Sequence, residues 1–406
     1  MFSTRPSALL ERYQTMRIDT RLAERLKKVS PSLTLAITSK ANILKSEGKD
    51  IVNFAAGEPD FDTPEPVKTA AIEAIRAGFT KYTPTTGTLE LKKLICAKFE
   101  KDNSLNYTPE QIVVSCGAKH SIFNAIFALL NRGEEVLIPS PYWVSYPEMV
   151  RLAEGVPRLI PAGEDNNFKV TAKELDKYSG PKTKILILNS PSNPTGCVYE
   201  LAELKEIADL CVKKKIFVIS DEIYEKVIYD GLKQVSIATL NSEINALAIT
   251  VNGLSKSYSM TGWRIGYLGG PVDVVEAISK VQDHTTSNPN SIAQKAAVAA
   301  LGMPDDTIKA MALEFAKRRD YCVTRISAMP KITCTVPKGA FYIFCDISQT
   351  GLDSMAISNR LLEEALVSLI PGKGFGSDNH VRISFATSMQ QLEKGMNRLE
   401  DWLKKL

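Results

Sequence analysis

The sequence predicts an α/β protein, with a mostly parallel central sheet covered by helices and a smaller α+β domain. Three observations predict it. From Gln111 onward, short apolar β-rich runs alternate with amphipathic helical stretches, the rhythm of βαβ units. After Gly270 that rhythm gives way to a helical region reaching about residue 328. Two strand-like runs follow at 340–346 and 381–385, with a helix from Ser354 between them and an amphipathic helix at the end. A chain of 406 residues has room for a large domain and a smaller one. The expected division gives 65–300 to the large domain, 17–64 and 301–406 to the small one, and 1–16 to an N-terminal extension.

The elements are expected in this order. Residues 20–29 fit an amphipathic helix with Leu22, Leu26 and Val29 on one face, broken by Ser30-Pro31-Ser32. Another helix begins at Leu33. Residues 51–54 make a short strand that runs into a glycine-, proline- and acid-rich loop at 55–64. Pro66 suits the first turn of the next helix, which ends at Gly78. The loop Lys81-Tyr-Thr-Pro-Thr-Thr-Gly87 leads to a helix through Ile95 and Phe99. Strands at 112–116, 135–139 and 184–190 are each followed by a helix, at 119–130, 144–152 and 201–212. Strands at 216–221, 246–251 and 264–268 complete the run. In such a sheet, ligand groups gather just past the carboxyl ends of the strands.

Composition excludes several classes. Fifty basic and 46 acidic residues leave a net charge of +4, and the basic residues are dispersed, which argues against nucleic-acid binding. No apolar run is long enough to span a membrane. The first residues lack the apolar core of a secretory signal, so a cytoplasmic location is expected. The seven cysteines are widely spaced without a C-x-x-C pair, and the three histidines make no metal spacing. Neither a disulfide framework nor a metal site is expected.

The stretches with chemistry all fall at strand ends. Lys256 leaves the 246–251 strand on a loop of small residues, and Arg264 stands eight residues on. A lysine amine can condense with an aldehyde cofactor, and an arginine fork can hold its phosphate. Such a pair is otherwise structural. In Ser190-Pro-Ser-Asn-Pro-Thr-Gly196 the prolines and glycine fix the loop that presents Asn193; the alternative is a plain turn. Asp221, in Ser220-Asp-Glu-Ile-Tyr224, is an acid at the end of a buried strand. It needs a positive partner, either a protonated ring nitrogen or a chain arginine. Ser115-Cys-Gly-Ala-Lys119 opens a helix whose amides suit a phosphate. Trp143 can stack on a flat ring or fill a core. Arg382 sits in an apolar strand and needs an anion. The glycine-rich 372–376 segment lacks dinucleotide-loop spacing and is read as a turn.

Together these stretches resemble the class I aminotransferases of fold type I, which depend on pyridoxal 5′-phosphate. The resemblance runs from about residue 20 to the end. The segments Ala55-Ala-Gly-Glu-Pro-Asp-Phe61 and Pro141-Tyr-Trp-Val-Ser-Tyr146 are similar to the bacterial and plant aspartate aminotransferases, some of which also use prephenate. The resemblance implies a role for each site residue. Lys256 carries the cofactor covalently and moves the proton between the substrate Cα and the cofactor C4′. Asp221 keeps the ring nitrogen protonated. Tyr224 and Asn193 bind the phenolic oxygen, and Trp143 stacks on the ring beside the substrate. Arg264, Ser255 and the amides of Gly117 and Ala118 hold the phosphate, with Tyr82 arriving from the partner of a homodimer. Arg382 takes the α-carboxylate under the Gly57 backbone. Lys119 contacts the distal carboxylate of a dicarboxylic substrate, and Thr34 is associated with prephenate. The bland reading of Lys119 is a solvated charge at a helix start. The expected substrates are amino acids and 2-oxo acids: aspartate, glutamate, oxaloacetate, 2-oxoglutarate and prephenate.

Rival expectations are a lyase acting at Cβ with the same cofactor, an aminotransferase of aromatic or alanine specificity, and a cofactor-binding regulator without turnover. Regulators of that kind carry an added DNA-binding domain, for which there is no room before residue 30.

Overall fold

A computed structural model describes residues 22–31 and 33–406. The 1–16 extension lies outside the described residues, as does the start of the helix expected at 20–29. Thirteen strands are present among the described residues. They are β1 (Val52–Asn53), β2 (Ile112–Ser115), β3 (Glu135–Ser140), β4 (Val156–Pro161), β5 (Thr183–Asn189), β6 (Phe217–Asp221) and β7 (Ala248–Gly253), then β8 (Gly266–Gly269), β9 (Thr333–Cys334), β10 (Tyr342–Asp346), β11 (Val367–Ser368), β12 (Ile370–Pro371) and β13 (His380–Ser384).

The central sheet has seven strands in the order β2-β8-β7-β6-β5-β3-β4. Pairs along β7-β6-β5-β3-β4 are parallel. The exception is β8, antiparallel to both of its neighbours. The sequence reading had placed this strand in the parallel run. No helix separates β7 from β8, so the chain lacks the long crossover a parallel partner needs and returns directly. A second departure is β4, which the sequence reading omitted. Its Pro157 and Pro161 argue against a strand, but β4 is an edge strand paired only with β3, where proline is tolerated.

Helices cover both faces, and the period-two alternation of the strands explains how. Ile112 and Val114 enter the core shared with helices Glu65–Arg76, Leu89–Asn103 and Ser291–Leu301, while Val113 points the other way, toward Ala118–Leu129, Ser145–Leu152 and Val272–Asp283. Ile185 and Ile187 likewise face that second group, and Leu186 and Leu188 pack under helix Leu201–Lys214.

A four-stranded sheet of order β12-β13-β10-β9 packs against helices Asp306–Ser327, Ser354–Glu364 and Met389–Leu403. β1 pairs with β11 in parallel, Val52 opposite Val367, which ties the N-terminal segment to this C-terminal region. The helix expected at 20–29 is only a 3-10 turn, Glu24–Lys28, with no buried residue; Leu22 and Leu26 are each 49% exposed. It lies near helix Ser145–Leu152 without burying any residue, and a short helix that buries little apolar surface is not stable. No helix among the described residues is long and apolar enough to cross a membrane.

Candidate active site

A cavity of about 600 Å³ opens past the carboxyl ends of β5, β6 and β7, and β10 and β13 of the second sheet close its far side. Lys256 enters it from the loop after β7. Its Nζ donates to the Gly57 carbonyl at 2.6 Å and sits 5.8 Å from the Tyr224 ring centroid. Burial lowers its pKa from the usual lysine range to about 8. The carboxylate of Glu58 opposes that shift, Arg382 and Arg264 assist it, and Asp221 opposes it. Near neutral pH this amine therefore exchanges its proton readily.

Asp221 ends β6 and is buried. Oδ2 accepts a 2.6 Å hydrogen bond from the Tyr146 hydroxyl, and Oδ1 accepts from the Ile223 amide at 3.2 Å. Burial raises its pKa, opposed by the Tyr146 bond, the Ile223 amide and Lys256. No lysine or arginine pairs with it among the described residues.

Arg382 lies in β13 opposite Phe344 of β10 and is 2% exposed. Nη1 donates to Asn193 Oδ1 and Nη2 to the Ala55 carbonyl, both at 3.0 Å, while Nε has no partner among the described residues. Its guanidinium lies 4.2 Å from the Tyr342 ring centroid. Its contacts are neutral, and burial lowers its pKa, opposed by Tyr342 and Tyr224. A buried cation with neutral partners and a spare N–H can take up a carboxylate. Asn193 is held in place by its own amide, which donates to Asn189 Oδ1 at 2.9 Å. The Tyr224 and Tyr342 hydroxyls share a hydrogen bond of 2.9 Å.

The opposite end of the cavity is cationic. Arg264 hangs from the Thr261 carbonyl at 2.8 Å and the Cys116 carbonyl at 3.2 Å, beside the start of helix Ala118–Leu129. Gly117 makes this approach possible. It has φ of +89°, and a Cβ there would lie 2.3 Å from Arg264 Nη2. Ser255 and Lys119 line the same end. Burial, then the charge of Arg264, lowers the Lys119 pKa, and its Nζ lies 4.9 Å from the Trp143 ring centroid. Lys119 is exposed at the cavity rim, and its charge is turned toward Trp143 rather than paired with an acid among the described residues.

The arrangement fits pyridoxal 5′-phosphate. A buried carboxylate without a cation suits the ring nitrogen. Helix amides, a serine and a guanidinium without an anion suit the phosphate. An amine with a lowered pKa suits the aldehyde.

Most of the residues expected from the sequence converge on this cavity: Thr34, Gly57, Ala118, Lys119, Trp143, Asn193, Asp221, Tyr224, Ser255, Lys256, Arg264 and Arg382 all line it. Gly117 stands behind Arg264. Tyr82 is 90% exposed and does not line the cavity of its own chain. Thr34 Oγ1 is buried without a hydrogen-bond partner among the described residues. The cavity also has lining residues that the sequence does not single out, among them Glu58, Tyr146, Thr261, Tyr342 and Phe375. Two had a legible signal. Tyr146 lies three residues after Trp143, one helical turn on, and Tyr342 belongs to an alternating strand next to the strand of Arg382. Phe375 was read as part of a plain turn; it stands in a 3-10 turn, Gly372–Phe375.

Residues 49–399 match the family described as aminotransferase class I and II. The chain is 45% identical over 388 residues to an aspartate aminotransferase of Bacillus sp. (strain YM-2), with 94% of this chain and 99% of that one covered. It is 42% identical over 395 residues to an aspartate/prephenate aminotransferase of Nitrosomonas europaea, with 94% and 100% covered. Among solved structures, the aspartate aminotransferase of Rhizobium meliloti superposes with a TM-score of 0.92 at 40% identity, covering 96% of this chain and 100% of that one. The Thermus thermophilus aspartate aminotransferase with maleate gives 0.90 at 40% identity, with 94% and 100% covered.

Proposed function

Because the chain belongs to the class I and II aminotransferases, we propose that it moves an amino group between aspartate or glutamate and 2-oxo acids, prephenate among them, with pyridoxal 5′-phosphate as carrier. One observation carries the reading: a single cavity holds a buried carboxylate without a cation, a lysine amine with a lowered pKa, and cations at both ends without anions. The names of the relatives support the choice of substrates.

When bound, the cofactor supplies an aldehyde that takes the amino group and a ring that accepts the electrons released at the substrate Cα. The protein supplies everything else. Arg264, Ser255 and the amides at Gly117 and Ala118 hold the phosphate. Asp221, oriented by Tyr146, keeps a proton on the ring nitrogen, and Tyr224 and Asn193 hold the phenolic oxygen. Trp143 covers the ring. Arg382 grips the α-carboxylate, with Asn193 and the Ala55 carbonyl fixing its fork. Lys256 holds the carrier and moves the proton at the substrate Cα; its lowered pKa makes the neutral amine available near neutrality.

The test is an assay of the purified protein with aspartate or glutamate as donor against a panel of 2-oxo acids including prephenate. New amino acid from the added 2-oxo acid is the expected product. Ammonia and pyruvate instead would turn the reading to elimination at Cβ.

Lys119, which lines the cavity, is the specificity residue of this reading and would meet a distal carboxylate; that the T. thermophilus relative was solved with maleate, a dicarboxylate, supports it. Lys119→Ala is expected to cost aspartate, oxaloacetate and prephenate roughly 1.5–3 kcal/mol in kcat/KM and to spare alanine. Equal losses for alanine and aspartate would make Lys119 general scaffolding.

Tyr82, exposed in the single chain, reaches the phosphate of a partner's site in a homodimer. Mixing inactive Lys256→Ala protein with an inactive Tyr82 variant should therefore regenerate activity, since each mixed dimer has one intact site. Subunit exchange that restores nothing would count against shared sites.

A further inference from the structure

All seven cysteines are free, and two of them face each other on neighbouring strands. Cys334 of the edge strand β9 is the registered partner of Cys345 in β10. Directly opposed residues of an antiparallel pair share a face, with Cα atoms about 4.5–5.5 Å apart. That spacing falls inside the window of roughly 4.4–6.8 Å that a disulfide spans.

We propose that Cys334 and Cys345 form a reversible disulfide by exchange with a low-molecular-weight disulfide such as oxidised glutathione. This goes beyond the transamination reading and does not depend on it. The two thiols are suited to different parts of the exchange. Cys334 is half-buried and within reach of a reagent, whereas Cys345 is fully buried. A hydrogen bond from the Cys345 thiol holds Cys334 below the usual thiol range, against burial and the charge of Glu164. Burial, then the interaction with Cys334, pushes Cys345 well up. Cys334 is therefore the attacking thiolate. Its sulfur bonds to one sulfur of the reagent, and the reagent's S–S bond breaks to release one thiol. Cys345 then loses its proton and attacks the Cys334 sulfur, displacing the second thiol. Two protein thiols are oxidised, one small disulfide is reduced to two thiols, and no other oxidant is needed.

The bond would close the base of the 335–344 loop, which bears on the catalytic cavity. Gly196, in the loop that presents Asn193, accepts from the amides of Lys338 and Gly339, both at 2.9 Å. It has φ of +69°, and a Cβ there would come within 2.4 Å of Pro337 Cβ. Tyr342, at the start of β10 within the segment the bond would close, shares a hydrogen bond with Tyr224.

The test treats the full-length protein with oxidised glutathione, alkylates the remaining thiols and digests with trypsin without reduction. Lys331, Lys338 and Arg360 place Cys334 and Cys345 in different peptides, and Arg325 separates both from Cys322. The expected product is the Cys334 peptide joined to the Cys345 peptide and separated again by dithiothreitol. C345S should trap glutathione on Cys334, and C334S should leave Cys345 unreacted. If C345S fails to fold, C334S carries the test, because the changed residue is half-buried. Wild-type protein that keeps both thiols alkylatable, retains a lasting glutathione adduct on Cys334, or joins Cys334 to Cys322 would overturn the proposal.

Discussion

Lys256→Ala is expected to reduce steady turnover by at least about 10⁴-fold and to remove the yellow colour of the loaded enzyme. General acid–base groups typically contribute about 10²–10⁴-fold, and this amine also holds the carrier. No second lysine can substitute from the same side, because the other lysine lining the cavity, Lys119, lies beside Trp143 and Arg264. A variant with normal turnover would sink the assignment. The same amine predicts a pH dependence. Its pKa is lowered from 10.5 to about 8, so the proton leaves as pH rises through about 8 and only then is the lone pair free. Capture of added cofactor by the stripped wild-type protein should accelerate with pH up to about 8 and level off above it. A rate still climbing steeply toward pH 10 would mean that the cavity does not lower the amine's pKa.

Asp221→Ala is expected to lose roughly 10²–10³-fold in kcat while keeping most cofactor occupancy, since the phosphate contacts at Arg264 and Ser255 are untouched. In the proposed reading the carboxylate would act where charge develops, on the ring nitrogen, in a buried site where water cannot replace it. Absorbance and bound phosphate measure occupancy; stopped-flow measures the half-reactions. A loss within about tenfold, roughly 1.4 kcal/mol, would remove the electron-sink role from Asp221. Tyr146→Phe separates orientation from charge. It deletes the 2.6 Å hydrogen bond but leaves the carboxylate, so its loss should be smaller than that of Asp221→Ala.

Much of the site was legible because the chemistry stands at the ends of apolar strands. Asn193, Asp221 and Lys256 each follow such a run, and parallel pairing of β5, β6 and β7 brings those ends together. Arg264 was legible for its spacing from Lys256, although its strand was given the wrong direction. That error did not move the residue, because β8 starts beside the end of β7, with Gly253 opposite Gly266. The missed aromatics have a different cause. Tyr146, Tyr342 and Phe375 carry no charge that burial would make conspicuous, and an aromatic in a strand or helix is ordinarily core.

The positions of Asn193, Asp221 and Lys256 at or just past strand ends could be read from the chain, since apolar period and strand termination are local properties. Tertiary structure alone decided what each of those residues faces. Gly57 meets Lys256 across 199 residues, and Ala55 meets Arg382 across 327. These contacts carry the second sheet against the mouth of the first. They also set the electrostatics: the lysine pKa near 8, the unpaired acid and the arginine with only neutral partners arise from desolvation and the fields of distant segments. A proton's affinity depends on everything packed around the group that holds it, and only the folded chain brings those surroundings together.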